Sequence, residues 1–124
     1  LKLNKYRSGL EERVAKQLND LKVLFEYETL KINYKKPERL AYYRPDFILP
    51  NGIIIEAKGR FLTKDRKKHR LIKEQFGDKY DIRFVFSNSK DKIGSKSKTT
   101  YALWCEKLGF KYCDCEIPTA WIKE

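Results

Sequence analysis

Cysteine is scarce in this 124-residue chain, and what there is does not pair: Cys105, Cys113 and Cys115 make an odd count of three. That excludes a disulfide framework, and C-x-C with a single distant His69 lacks the paired C-x₂-C spacing of a zinc site. Three reduced, partly buried thiols in a cytoplasmic protein are the expectation. No uninterrupted apolar run approaches the ~18 residues a membrane span requires, and residues 1–10 carry no signal-peptide pattern. The chain is too short for two ordinary domains, yet its 41% apolar residues suffice for one core. Acidic residues are also in deficit. Seventeen Asp and Glu face 28 Lys and Arg, a formal net charge of +11. Such an excess on a small domain points to a polyanionic partner, and nucleic acid is favoured over a mere solubility surplus. Membrane lipid is disfavoured, because no long basic amphipathic helix with aromatic anchors stands out.

What is present alternates between helical and strand periodicity. "RSGLEERVAKQLNDL" places Leu10, Val14, Leu18 and Leu21 on one helical stripe, with Ser8 as N-cap and Glu11 at the capping-box position. "VLFEYETLKI" alternates as a strand, and the polar connection around Pro37 is long for a hairpin turn, so that strand is expected to reach elsewhere. Two apolar strands, 46–49 and 53–58, flank Pro50-Asn51-Gly52, a strong hairpin signal. A basic helix over about 63–76, a central strand in "YDIRFVF", a short helix in "YALWCEKLG" stopped by Gly109 and a last strand in "FKYCDC" follow. Trp121 and Ile122 are placed to dock the tail on the body. The Lys- and Ser-rich stretch before the short helix reads as a mobile loop, and its residues 90–98 fit either a backbone clamp or a disordered segment. Helix, three strands, helix, strand, helix, strand implies an α/β (or α+β) domain with a central mixed sheet flanked by helices.

The hairpin carries the chemistry. Glu56 and Lys58, two apart in a strand, share a face. A two-residue loop at Asn51-Gly52 would put Asp46 on the opposite face. A three-residue loop, 50–52, pairs Asp46 with Glu56 on the same one, and a bulge would do likewise. Pro50 lacks an N–H and belongs in the loop, which favours convergence. Two close carboxylates repel, and a hard cation such as Mg²⁺ relieves that repulsion while activating water against a phosphodiester. A solvated cross-strand salt bridge is the bland alternative, and spacing alone does not exclude it. The neighbouring helix holds six basic residues and one acid between Lys64 and Lys73, with Lys67, Lys68 and Arg70, joined by Arg7, as candidates for backbone contact. His69 reads as a satisfied structural histidine in preference to a further group approaching the DNA. No helix presents the Arg, Asn and Gln array of a base reader, so recognition of shape is expected.

"PDF…IEAKG" resembles the PD-(D/E)xK nuclease signature. More specifically, "YRSGLEERVAKQL", "FEYE", "PDFILPNGIIIEAKG", "DRKKH" and "CEKLGFK…IPTAWIKE" match in order the endonuclease I family of the T-odd coliphages, over residues 6–124. These are Holliday-junction resolvases. The resemblance implies a restriction-endonuclease-like core and a Mg²⁺-dependent endonuclease for four-way junctions and other branched DNA, acting in the host cytoplasm. Mn²⁺ would substitute, with two ions per site. It makes Glu11, Asp46, Glu56 and Lys58 the catalytic set. Asp46, Glu56, Glu11 and the carbonyl of Ala57 become the metal ligands, although Ala57 stands where the family usually has Thr. It further implies a domain-swapped homodimer: residues 1–34 exchanged, 35–45 the connection and 46–124 the catalytic core, with the crossover running through Pro37. The long basic C-terminal extension of the family is not in this sequence. A sequence-specific restriction- or homing-type nuclease and a non-catalytic basic DNA-binding module are the alternatives.

Overall fold

The computed structural model describes residues 5–36 and 39–124. The first helix, α1 (Gly9–Asp20), starts where Ser8 Oγ accepts the Glu11 N–H at 3.1 Å. Val14, Ala15 and Leu18 are its buried stripe, with Leu10 packed at the margin. Leu21 does not belong to that stripe, because the helix ends at Asp20 and Leu21 is left 45% exposed.

The expected second element divides. β1 (Glu26–Tyr27) stops at Glu28, whose backbone takes the left-handed conformation (φ 55°). β2 (Ile32–Lys36) then pairs antiparallel with β3 (Arg39–Tyr43), from Ile32 opposite Tyr43 to Lys36 opposite Arg39. Residues 39–43 of the anticipated connection are thus a strand, paired with β2. Burying Ile32, Tyr34 and Tyr43 on one face against the rest of the core favours that pairing. The crossover expected at Pro37 lies outside the described residues.

β4 (Phe47–Ile48) and β5 (Ile54–Lys58) form the central hairpin, Phe47 opposite Ile55 and Ile48 opposite Ile54. The Leu49 carbonyl accepts from Gly52 N, Leu49 N donates to the Ile53 carbonyl, both at 2.9 Å, and Gly52 has φ 88°. This is a three-residue loop ending in a left-handed glycine, a geometry that L side chains rarely adopt. β6 (Ile82–Phe86) and β7 (Tyr112–Asp114) extend the sheet in parallel, in the order β1-β4-β5-β6-β7. The architecture is therefore a five-stranded mixed sheet flanked by helices, with five strands rather than three preceding α2 (Thr63–Phe76). α3 (Tyr101–Leu108) ends on left-handed Gly109, and α4 (Thr119–Ile122) docks Trp121 as expected.

Both sheet faces are covered, which explains why β6 is buried throughout. Phe84 and Phe86 face the aromatic core of Phe61, Trp104 and Phe110, while Ile55 and Val85 face α1 and α4. The stretch 87–100, anticipated as mobile, is tied down. Asp114 accepts from both Ser89 N and Ser89 Oγ, and Lys92 bridges to Thr100. Its lysines Lys90, Lys92, Lys96 and Lys98 remain exposed. No helix among the described residues is long and apolar enough to cross a membrane.

His69 is not a satisfied histidine. It is fully buried, edge-on to Tyr43 at 4.9 Å and Phe84 at 4.8 Å, and neither ring nitrogen has a hydrogen-bond partner among the described residues. Burial, reinforced by Lys68 and Lys58, holds its pKa well below the usual imidazole value. An unsatisfied buried polar group costs about 1–3 kcal/mol. Leucine, of similar volume, makes no such demand, so His69→Leu is expected to raise Tm at pH 7 by roughly 3–8 °C in a thermal melt. A lower Tm would show that the imidazole is satisfied in solution.

Candidate active site

The three-residue loop decides the site. With Leu49 bonded to Ile53 and Ile48 opposite Ile54, the register carries Asp46 to the level of Glu56, on the face that Glu56 shares with Lys58. Asp46 is 7% exposed; its Oδ2 accepts the Ala57 N–H at 2.9 Å, and its own N–H points to Glu56 Oε1 at 3.4 Å. Glu56, 4% exposed, takes the Tyr43 hydroxyl on Oε1 at 2.7 Å and stands 3.3 Å from Lys58 Nζ through Oε2. Lys58 lies between two carboxylates, with Asp65 Oδ1 at 3.4 Å on the other side.

Glu11 joins from α1. The capping box is half formed. Ser8 caps Glu11, but the Glu11 carboxylate does not return to Ser8. It accepts instead from Arg7 N at 3.1 Å and from the Tyr27 hydroxyl. Oxygens of Glu11, Glu28 and Asp46 lie within 4.8 Å of one another and can hold a metal ion. Glu56 falls outside that group, on the Lys58 side of Asp46. Of the four ligands anticipated, the structure thus gathers Asp46 with Glu11 and sets Glu56 beside them, while Ala57 contributes its N–H to orienting Asp46.

Glu28 was not anticipated. In sequence it alternates with Glu26 in "FEYE", a pattern that marks only a strand. The left-handed backbone at Glu28, braced by its N–H on the Asp46 carbonyl at 3.1 Å, turns it into the cluster. Asp65 and Tyr43 were also missed. One lies in the basic helix and the other in the segment expected as a connection, and only the tertiary fold brings them to Lys58 and Glu56.

The electrostatics suit a cation. Burial first, then Glu56 and Glu11, push the Asp46 carboxyl up to about 9. Burial raises Glu56 as well, against the pull of Lys58. Burial works to lower Lys58, but Glu56, Asp65 and Asp46 outweigh it and its pKa is raised. Lys58 and the more distant Lys68 do not offset the burial of Asp46 and Glu56, so without a further cation protons must do so. The donor set is all oxygen, which fits a hard divalent ion and not a thiophilic one.

The anticipated DNA contacts separate. Lys67 and Arg70 are exposed on α2, whereas Lys68 is half-buried, with Nζ 5.5 Å from the centre of the Tyr43 ring, and burial together with Lys58 lowers its pKa. Arg7 is largely exposed but pairs with Glu28 at 2.8 Å. A groove of about 950 Å³ runs between the β2–β3 hairpin and α2, lined by Lys36, Arg39, Lys64, Lys67, Lys68 and Arg70 among others.

The sequence profile of the phage endonuclease I family matches residues 1–124. Endonuclease I of Escherichia phage T7 is 50% identical over 123 residues, 99% of this chain and 82% of its own length. Endodeoxyribonuclease 1 of Enterobacteria phage T3 is 50% identical over 119 residues, 96% of this chain and 78% of its own.

Proposed function

The chain belongs to the phage endonuclease I family, and from that premise we propose that it is a divalent-metal-dependent endonuclease that resolves four-way junctions and other branched DNA by paired nicks. The nuclease class itself follows from the family; the junction preference, the metal and the residue roles are the proposal. The observation that supports it most is the convergence of Asp46, Glu56 and Lys58 on one face, beside a basic helix.

Asp46, Glu56, Glu11 and the Ala57 carbonyl would hold Mg²⁺, with Mn²⁺ able to replace it and two ions per site, and Glu28 is a further candidate ligand. Bound there, the metal supplies an acidified water and a Lewis acid for a phosphate oxygen. The protein's own contribution is positioning and charge. Tyr43 and Ala57 N–H fix the orientations of Glu56 and Asp46. Lys58 brings an ammonium to the phosphate that gains charge in the transition state. Arg7, Lys67, Lys68 and Arg70 hold backbone phosphates on either side, contacts that position DNA without reading its sequence. Selectivity then comes from the shape of the branch.

Symmetric nicks need two sites, and the described residues of one chain carry one such cluster. A homodimer meets that need. Exchange of residues 1–34 would let Glu11 of one chain complete the Asp46–Glu56–Lys58 site of the other, with contacts equivalent to those within the single chain. The site of action would be the host cytoplasm.

The test is incubation with a synthetic four-way junction, a matched linear duplex and a single strand, each with Mg²⁺ and with EDTA. The expected result is paired cutting of the junction in Mg²⁺ alone. Cutting of linear duplex at one defined sequence with junctions ignored would select a restriction- or homing-type nuclease. Junction binding without metal-dependent cutting would select a non-catalytic DNA-binding module.

A further inference from the structure

We infer that Asp65 is the positioning residue of Lys58, anchoring its ammonium from the first turn of the basic helix α2, a role that rests on the nuclease assignment above. Asp65 is the third residue of α2 and only 8% exposed. Its two oxygens have separate partners. Oδ2 accepts the Leu62 N–H at 3.1 Å, and Oδ1 lies 3.4 Å from Lys58 Nζ.

A capping role accounts for the first contact. Leu62 has no side-chain acceptor for the free N–H groups at the start of α2, and an acidic residue at the third position serves the helix terminus well. Capping alone, however, asks for nothing at Oδ1 and gives no reason to bury the carboxylate beside an ammonium. The second contact is what singles Asp65 out.

Among the described residues Lys58 has one other anionic partner within ion-pair reach, Glu56 at 3.3 Å. Glu56 is already shared: Tyr43 occupies Oε1, and Glu56 is itself a proposed cation ligand. Asp65 has no such competing demand. It lies outside the Glu11–Glu28–Asp46 group, and its hydrogen-bond partners among the described residues are Lys58 and Leu62. It also sits one helical turn from Lys68, so the helix offered to the DNA backbone is the one that holds the lysine. A lysine stem has four rotatable carbons, and a fixed carboxylate removes much of that freedom at the reacting phosphate.

Asp65→Asn separates the two roles. The amide keeps the size of the side chain and a carbonyl oxygen to accept from Leu62 N–H, but it removes the charge that faces Lys58. On the full chain with a four-way junction in Mg²⁺, the single-turnover cleavage rate is expected to fall about tenfold or more. Junction Kd measured in EDTA should stay within about twofold and Tm within about 2 °C, because neither the basic surface nor the cap is lost. Asp65→Glu, which keeps the charge on a longer stem, should recover part of the rate. An Asp65→Asn protein that cleaves like wild type overturns the inference. So does a rate loss matched by an equal loss of binding, or by a fall in Tm that Asp65→Glu does not reverse. Lys58→Ala is run alongside: if wild type cuts and Lys58→Ala does not, the lysine's own assignment stands and only the Asp65 role is at issue. If wild type does not cut, both fall.

Discussion

Asp46→Asn is expected to lower junction cleavage in Mg²⁺ by about 10³-fold or more while leaving junction affinity within about threefold, and Glu56→Gln to do the same. Each change removes one charged oxygen donor and little else. The Asn side chain can still present its carbonyl oxygen to Ala57 N–H, the 2.9 Å contact that orients Asp46, and Gln can still accept from Tyr43. Both positions are buried behind the surface offered to DNA, and neither carries a positive charge that a phosphate would miss. Removing a negative charge near a polyanion favours binding if it changes it at all. The separation of the two readouts is what identifies a role in the chemistry. Single-turnover cleavage and mobility shift at one fixed salt concentration provide it, since affinity for a backbone-contacting protein falls steeply with salt. Full activity of either variant would remove the carboxylates from the mechanism and leave Asp46, Glu56 and Lys58 as a structural ion-pair cluster.

The convergence of those three residues was legible in the sequence because it follows from covalent chemistry. Pro50 has no N–H to give a ladder, so it falls in the loop, and a three-residue loop with Gly52 at its end sets the register that puts Asp46 level with Glu56. The long periodic helices were legible for the same kind of reason. Other features depend on which segments meet, and periodicity is silent on that. Glu11 has a complete local explanation as a helix-start residue, and only the family resemblance promoted it. Glu28 reaches the cluster through a left-handed backbone that no Gly or Asn announced. Tyr43 lies where a polar connection was expected, and the hairpin that turns it toward Glu56 forms because Ile32, Tyr34 and Tyr43 share an apolar face. Leu21 matched the helical period but fell past the last turn, and there the pattern alone misled. Local rules therefore placed the hairpin and brought Asp46 level with Glu56, whereas the groups that contact them required the fold.

Because the site packs carboxylates away from water, its cost should be visible as a stability profile. Asp46 keeps its proton up to about pH 9 in the fold against an ordinary value of 3.8. Between those limits the folded state binds the extra proton, so its stabilising contribution is complete at low pH and is lost as pH rises toward 9. Glu56 acts in the same direction. His69 has the opposite sign. Its pKa is lowered from 6.5, so the unfolded state binds more protons below 6.5 and the fold loses stability as pH falls through that range. In EDTA, Tm should therefore decline most steeply from about pH 6.5 to 9 and more gently just below 6.5, where His69 opposes the carboxyls. His69→Leu should steepen the rise toward acid below 6.5, and Asp46→Asn should flatten the decline above it. A divalent cation competes with the same protons, because its ligands must be deprotonated. Mg²⁺ should accordingly raise Tm little at pH 6 and by several degrees at pH 8.5, where the carboxylates it neutralises are otherwise the main liability of the fold. Scanning calorimetry at three pH values with EDTA or Mg²⁺ checks all of this. A Mg²⁺ shift of equal size at every pH, or a metal-free Tm that climbs from 6.5 to 9, would mean that the buried carboxylates are not where the cation binds.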